Sequence, residues 1–267
     1  MQSKFHLQRE LLNRVACGKI HSPVFYPHFH SHIELYLVLS GEVEVLVNDR
    51  KKLLGVGEIS VAMSYDTHGY RTPTEAEAIY LIIPTDFCKE FLPLLSARRL
   101  PSPYLNDPNV FQPVLHAMEG LLAGGNEITQ RGYLYTILGA VYEQMIPIDN
   151  EAPTVSHSAS ADILIYINDH FRDSLTLASI AHTFGYHPAY FSRYFRQTFG
   201  TSFVRYLTML RLREAILLLR SGKRTVTEAA LEAGFGSMRS FYRAFDEELG
   251  CSPREYFQGN EKADRVD

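Results

Sequence analysis

The chain has 267 residues, 46% of them hydrophobic and 21% charged, with a formal net charge of −4. That length suits two domains, each able to bury its own core, and the composition excludes collagenous and disordered classes. No apolar run reaches the roughly 18 residues of a membrane span, and the N-terminus MQSKFHLQRELLNR is polar, so neither a span nor a signal peptide is expected and the cytoplasm is. The three cysteines, Cys17, Cys88 and Cys251, are far apart and read as reduced structural thiols.

Residues 20–83 read as strands. HFHSHIELYLVL, EVEVLVN, KKLLGVGEISVA and AIYLIIP are β-branched or aromatic runs separated by turn residues, which suggests a small antiparallel barrel or sandwich. If the first run is one strand, His28, His30, His32 and Glu34, each two apart, share one face. Tyr36 and Tyr80 are inward candidates, and His21, Pro23 and Tyr26 are candidates for the same mouth. The segment HFHSHIE, six residues and then Gly41 resembles the first motif of cupin barrels. Gly57 to His68 (GEISVAMSYDTH) resembles the second, without its usual proline-glycine pair. That resemblance leaves three readings of the polar residues open. They line a ligand pocket, they are packed structural histidines, or His28, His30, Glu34 and His68 bind a divalent metal as in metal-dependent cupins. The ligand pocket is preferred, and no metal or cofactor is assigned.

Residues 86–146 turn helical, in DFCKEFLPLLSARRL, NVFQPVLHAMEGLLA and ITQRGYLYTILGAVYEQMI. From Pro147 to Ser160 the composition becomes Pro/Ser/acidic without periodicity, a linker.

The C-terminal stretch carries the densest pattern. TLASIAHTF (176–184) is a short helix with Leu177, Ile180, Ala181 and Phe184 inward. Gly185–Tyr186–His187 is a turn. Pro188 suits the first turn of a helix, because its missing N–H would be unbonded there anyway. Phe191, Tyr194, Phe195 and Phe199 then form an apolar stripe, with Ala189, Ser192, Arg193 and Arg196 opposite. After a connecting helix from Ser202 to Leu219, the unit recurs: TVTEAALEA (225–233), a turn at Gly234–Phe235–Gly236, and a helix from Met238 to Leu249. There Phe241, Phe245 and Leu249 face inward and Met238, Arg239, Tyr242 and Arg243 outward. This is a duplicated helix-turn-helix. The connecting helix is ~27 Å long, near the ~34 Å between successive major grooves. Its apolar residues Val204, Leu207, Leu210, Leu212, Ile216 and Leu219 are assigned to the core. Arg193 and Arg243 suit bidentate bonds to guanine, Arg239 suits base or phosphate, and Arg196 suits backbone. The charge supports this division: residues 1–150 hold 12 Lys+Arg against 16 Asp+Glu, whereas residues 161–257 hold 12 against 10.

Residues 161–257 resemble the DNA-binding domain of the AraC/XylS family of bacterial transcription regulators. The resemblance rests on Leu177-Ala178, Gly185-Tyr186, Phe191-Ser192-Arg193, Phe195, Gly200, Phe203, Tyr206, Arg211-Leu212 and Ala215, then Ala229, Gly234-Phe235, Ser237, Phe241, Arg243, Phe245, Gly250, Pro253 and Tyr256. His187 departs from the family's usual capping serine, and Asp246 from a common lysine.

The resemblance implies an α+β chain of two domains. A cupin-like effector-sensing and dimerisation β-barrel with flanking helices (1–146) is joined by a linker (147–160) to an all-α tandem helix-turn-helix domain (161–267). It implies a sequence-specific regulator, an activator in family terms, that is not an enzyme. Its expected partners are double-stranded DNA at two adjacent major grooves, a small polar effector such as a sugar or related carbon source, and a second copy in a homodimer, without a membrane. DNA contacts fall to Ala189, Ser192, Arg193, Arg196, Met238, Arg239, Tyr242 and Arg243. Effector contacts fall to His28, His30, His32, Glu34, Tyr36 and His68. The rivals are a metal-binding cupin enzyme fused to a DNA-binding module and a ligand-independent DNA binder.

Overall fold

A computed structural model describes residues 4–263 apart from 6, 11, 13, 89 and 148–158; most of the expected linker therefore lies outside the described residues. The chain divides into two compact units at Ala161–Asp162.

The first unit opens with β1 (Lys4–Phe5) and α1 (Leu7–Glu10), followed by β2 (Ala16–His21), β3 (Val24–Phe29), β4 (Ile33–Ser40), β5 (Val43–Val47), β6 (Arg50–Leu54), β7 (Ile59–Ala62), β8 (His68–Arg71) and β9 (Glu77–Ile83). The short α2 (Leu92–Ser96), β10 (Arg98–Arg99) and β11 (Tyr104–Leu105) lead to α3 (Pro108–Ala123) and α4 (Glu127–Glu143), and β12 (Ile146–Pro147) pairs with β10. Two five-stranded sheets result, in the orders β1-β3-β8-β5-β6 and β11-β7-β4-β9-β2. Their pairings are antiparallel except β1 with β3, so the antiparallel expectation holds for nearly the whole sandwich.

The central strand β4 is buried on both faces, and its period of two explains the layers. Ile33, Leu35 and Leu37, with Ile79 and Leu81 of β9, pack under Val114 of α3 and Ile137 and Leu138 of α4. Tyr36 and Val38, with Ala78 of β9, turn the other way and meet Val43, Val45 and Tyr70 between the sheets. Glu34 belongs to this second set and so points into the sandwich. Gly41 begins the β4–β5 turn at φ +69°, and a side chain there would strike the backbone of Glu75 and Ala76, so only glycine fits.

Three details differ from the expectation. The run HFHSHIELYLVL is two strands in two sheets, broken at His30–Ser31–His32, so the two-apart rule does not place its four polar residues on one face. The run KKLLGVGEISVA is likewise two strands, separated where Gly57 adopts φ +88°. The first expected helix is only the five-residue α2, which is followed directly by a strand. In addition, β2 and β8 had no strand of their own in the sequence reading.

The second unit is α-helical: α5 (Ala159–His170), α6 (Leu177–Thr183), α7 (Pro188–Phe199), α8 (Phe203–Arg220), α9 (Val226–Glu232), α10 (Met238–Leu249) and α11 (Pro253–Ala263). Local chemistry sets these boundaries. Thr176 and Thr225 each begin a helix with a reciprocal capping box, to Ser179 and Glu228. Ser202 and Ser237 cap α8 and α10, each such cap contributing about 1 kcal/mol. His187 performs the cap that a serine would, its Nδ1 accepting from Ala189 N–H at 3.3 Å. Gly200 and Gly250 close α7 and α10 in the left-handed region, at φ +66° and +68°. Arg211 of α8 donates to the carbonyls of Phe171 and Asp173, both at 2.8 Å, fixing the connecting helix to the end of α5. Gly234, at φ +89°, lies so close to Arg172 that a Cβ would come within 2.9 Å of its Cα.

Phe191, Phe195, Phe199, Phe241 and Phe245 are buried as the periodicity predicts, and Leu249 is half-buried. Leu207, Leu210, Leu212 and Ile216 of α8 are core. Val204 is not: it is 63% exposed, because the buried face of α8 starts at Phe203 and continues through Tyr206 and Leu207. Among the described residues no helix is long and apolar enough to cross a membrane.

Candidate functional site

In the first unit, the residues nearest the cupin-like motifs converge between the sheets. His28 comes from β3, His30 from the break after it, Glu34 from β4 and His68 from the start of β8. All four are buried, and one ligand atom from each lies within 4.8 Å of the others. Glu34 Oε2 is 3.1 Å from His30 Nε2 and 3.5 Å from His68 Nε2. His28 pairs directly with His68 across the β3–β8 ladder, and their rings are 4.4 Å apart.

The surroundings set the protonation of these groups. His28 Nδ1 lies 2.9 Å from the Tyr26 carbonyl and His68 Nδ1 2.8 Å from the Asp66 carbonyl. A carbonyl only accepts, so both Nδ1 atoms carry the proton and donate. Nε2 is the atom left to each ring for the cluster, the arrangement that orients a ligating imidazole. Burial, aided by the neighbouring His68, lowers His28 to about 3, and burial lowers His30 to about 4, against the bond to Glu34. Burial opposes ionisation of Glu34, but His68, the bond from His30 and the Arg9 guanidinium together hold its carboxyl well below the usual range. Three imidazoles and one ionised carboxylate are the donor set of zinc, iron or manganese. Donors about 2.1 Å from one ion span up to about 4.2 Å, so a small contraction closes the shell. The residues fit a divalent ion.

His32 is not part of this cluster. Its Nε2 bonds the Arg9 carbonyl at 2.9 Å and its Nδ1 faces Ser31 Oγ at 3.4 Å, because the chain bends between the sheets there. None of His21, Pro23 and Tyr26 borders the cavity beside Glu34; His21 and Tyr26 are exposed, Tyr26 by 75%, and Pro23 is buried. Glu34 and Tyr36 instead border a cavity of about 340 Å³, completed by Arg9, Leu12, Ala16, Ile20, Phe25, Tyr70, Tyr80 and Ile82. Tyr36 and Tyr80 therefore face inward as expected.

Sequence reading missed Arg9, Glu10, Phe25 and Tyr70. Arg9 Nη1 donates to Glu34 Oε2 at 3.1 Å, and its guanidinium sits 5.5 Å from the centre of the Phe25 ring. Glu10, 1% exposed, accepts from Ser31 N–H and from Ser31 Oγ, the latter at 2.7 Å. These contacts tie α1 to the cluster, and no local pattern announces them. Tyr70 had a visible signal: it lies two residues beyond His68 and thus on the same face of a strand.

In the second unit, α7 and α10 each follow a short capped helix and a glycine turn, and each presents one face outward. On α7, Ala189, Ser192, Arg193 and Arg196 are exposed; on α10, Arg239, Tyr242 and Arg243 are exposed and Met238 is half-buried. Tyr190, not singled out by the sequence, joins the α7 face at 50% exposure, with its ring 5.4 Å from Tyr186 and 6.3 Å from Tyr194. The faces differ in charge. Arg196 of α7 stands where α10 has Asp246, and Arg243 lies 3.8 Å from Glu247. The arginines at the shared position, Arg193 and Arg243, are both exposed.

Residues 176–259 match the family model described as a helix-turn-helix domain, and residues 15–84 match the cupin domain. The chain is 24% identical to the HTH-type transcriptional regulator YobQ of Bacillus subtilis (strain 168) over 246 residues, 92% of this chain and 94% of YobQ. It is also 24% identical over 250 residues to the HTH-type transcriptional activator RhaS of Klebsiella pneumoniae (strain 342), covering 89% of each. The Transposon Tn10 TetD protein of Escherichia coli is 35% identical over 95 residues, 36% of this chain and 69% of TetD. With a cupin-like sandwich, a duplicated helix-turn-helix and these relatives, the chain belongs to the AraC/XylS family of DNA-binding transcription regulators.

Proposed function

We propose that α7 and α10 read two successive major grooves of one DNA site, and that a small effector in the cavity beside Glu34 sets how tightly they do so. The observation that carries this reading is the repeated outward face, with Arg193 and Arg243 at the same place in two copies of one unit. Arginine at such a position bonds guanine O6 and N7 together, discriminating by ~1–3 kcal/mol. Ala189, Ser192, Met238, Arg239 and Tyr242 surround these two as further base or methyl contacts, and Arg196 takes phosphate.

On the sensor side, Glu34 and Tyr36 face the effector directly, while His28, His30 and His68 form the wall behind Glu34. A divalent ion held by those four donors would supply a fixed positive charge at the cavity edge. His32 acts at a distance, anchoring the backbone of Arg9. Binding without catalysis is the role assigned to this pocket, and the cytoplasm, where the DNA lies, is its place. A sugar or related carbon source is the effector the family resemblance implies. Linkage then requires effector affinity to change when DNA binds, by the same factor as the reverse.

A second copy is placed against the outer face of α4, where Ile128 is 84% and Tyr135 39% exposed, opposite the face that buries Leu134, Ile137, Leu138 and Val141. Sedimentation of the wild type and of Ile128→Glu checks this, a shift of the variant to monomer being the expected result. The main test is selection from random duplexes at fixed salt. Wild type should enrich a bipartite site with sub-sites about one helical turn apart, and Arg243→Ala should lose preference in one half only. Uniform loss across both halves would count against separate reading by the two helices.

A further inference from the structure

From Phe191 and Phe241 onward, α7 and α10 correspond residue by residue: Arg193 with Arg243, Phe195 with Phe245, Gly200 with Gly250. One turn beyond the shared arginine the charges part. There α7 carries Arg196 and Gln197, α10 carries Asp246 and Glu247, and all four are exposed. The last turn of α7 holds a cation and no acid, whereas that of α10 holds Asp246, Glu247 and Glu248 and no cation.

The fold explains Glu248, which accepts from Arg205 Nε at 2.7 Å and is only 10% exposed. It does not explain the other two. Glu247 lies 3.8 Å from Arg243 in a pair exposed at both ends, and such pairs contribute little. It reaches Arg205 only as a further charge beside Glu248. Asp246 has no ion-pair partner among the described residues. Both stand at the C-terminal end of a helix, where the macrodipole disfavours anions. Packing and capping do not account for these acids, which leaves the surface they face.

On the two-helix reading above, that surface is DNA. Arg196, one turn past the base-reading arginine, takes phosphate in that reading. The two units share their caps, apolar stripe and closing glycine, so Asp246 meets the corresponding phosphate with the wrong sign. Glu247 beside it competes with guanine for Arg243.

We propose that Asp246 and Glu247 make α10 the weaker, conditional half of the reader. The helix α7 anchors the chain on DNA, and α10 docks only where its base contacts offset the repulsion. Attraction to the phosphate backbone supplies essentially all non-specific binding. On unmatched DNA α10 therefore has little to hold it and stays undocked; on a matched sub-site the Arg243 contacts hold it. This inference rests on the two-helix reading and assigns the helices unequal parts within it.

The test uses the full chain and the bipartite operator obtained by selection, with Arg243→Ala marking the α10 sub-site. Duplexes cut short so that one sub-site is physically missing are titrated beside it. In wild type, removing the α7 sub-site should cost about fivefold or more affinity beyond what removing the α10 sub-site costs. The double variant Asp246→Asn, Glu247→Gln should bind the intact operator roughly three- to tenfold more tightly at low salt. That gain should shrink as salt screens the repulsion and vanish on the duplex lacking the α10 sub-site. Asp246→Arg should also steepen the slope of log affinity against log salt by about 1. Glu119→Gln, which removes an exposed acid of α3, controls for bulk charge and should leave affinity unchanged. The proposal is overturned if the double variant binds the operator no more tightly, if its gain persists without the α10 sub-site, if Glu119→Gln gives the same gain, or if the two sub-sites cost alike. A lowered melting midpoint in the double variant would assign the acids to the fold and overturn it as well. A selection that yields no bipartite site removes the two-helix reading itself. A bipartite site whose affinity is indifferent to the double variant removes this inference alone.

Discussion

Arg205 of α8 donates from Nε and Nη2 to the two carboxylate oxygens of Glu248, at 2.7 and 2.9 Å, joining the connecting helix to the last turn of α10. Glu248 is only 10% exposed although Arg205 is 61% exposed, so the carboxylate end of the pair is shielded. Two parallel bonds fix orientation as well as distance. We expect a coupling of about 1 kcal/mol between Arg205→Ala and Glu248→Ala, the upper end for a pair of this exposure. A double-mutant cycle from denaturant melts measures it. A coupling near zero would show that packing of Phe241 and Phe245 alone holds α10.

Arg196 and Arg193 should separate by the kind of energy they contribute. Neutralising a phosphate contact in Arg196→Gln lowers the slope of log affinity against log salt by about 1 and weakens all sequences alike. Arg193→Gln should change base preference in one sub-site as well. Binding titrations at several salt concentrations on matched and mismatched duplexes distinguish the two. A sequence-dependent loss in Arg196→Gln would move that side chain from backbone to base.

The donor cluster makes a prediction about which histidine matters. His30→Ala removes one of four ligands and should weaken zinc binding by roughly a hundredfold or more, on the scale that even outer-shell changes approach. His32→Ala, whose ring serves the Arg9 carbonyl, should leave zinc affinity within a few fold. Competition with a chromogenic chelator reads both values. Equal losses would add His32 to the ligand set.

Cys17 should be slow to react. Burial pushes its thiol up to about 11, so at pH 8 the thiolate is about one part in a thousand, against about a tenth for an ordinary cysteine. The sign is plain: a raised thiol pKa leaves the neutral form dominant until the pH passes 11. Alkylation of native Cys17 should therefore rise about tenfold per pH unit between 8 and 10, tracked by mass spectrometry. Labelling at pH 8 as fast as in the denatured chain would contradict the burial.

The two units were unequally legible, for a physical reason. In the second unit, several helix boundaries are set by residues within four positions of one another: Thr176 with Ser179, Thr225 with Glu228, Pro188 after His187, Gly200 and Gly250 closing their helices. Local chemistry of that kind is written in order along the chain. Val204 misled because a helix periodicity read from leucines alone places the buried arc a residue late. In the first unit, the deciding contacts are distant. His28 meets His68 forty positions on, Glu34 meets Arg9 from the N-terminal helix, and the break at Ser31 is fixed by Glu10. The resemblance to the cupin motifs named His28, His30, Glu34 and His68 together, and the structure brings one ligand atom of each within 4.8 Å of the others. The argument from a single strand was wrong, because the chain changes sheet between His30 and Glu34.

The matching caps and stripes of α7 and α10 have an engineering consequence. Both helices start from a capped first turn, end at a left-handed glycine and bury an aromatic at the same offsets. What each turns toward solvent is therefore nearly independent of what holds it in place. If the two helices read DNA as proposed above, transplanting the outward residues of one onto the other should carry base preference with them and leave the interior in place, so that sequence preference is exchanged rather than rebuilt.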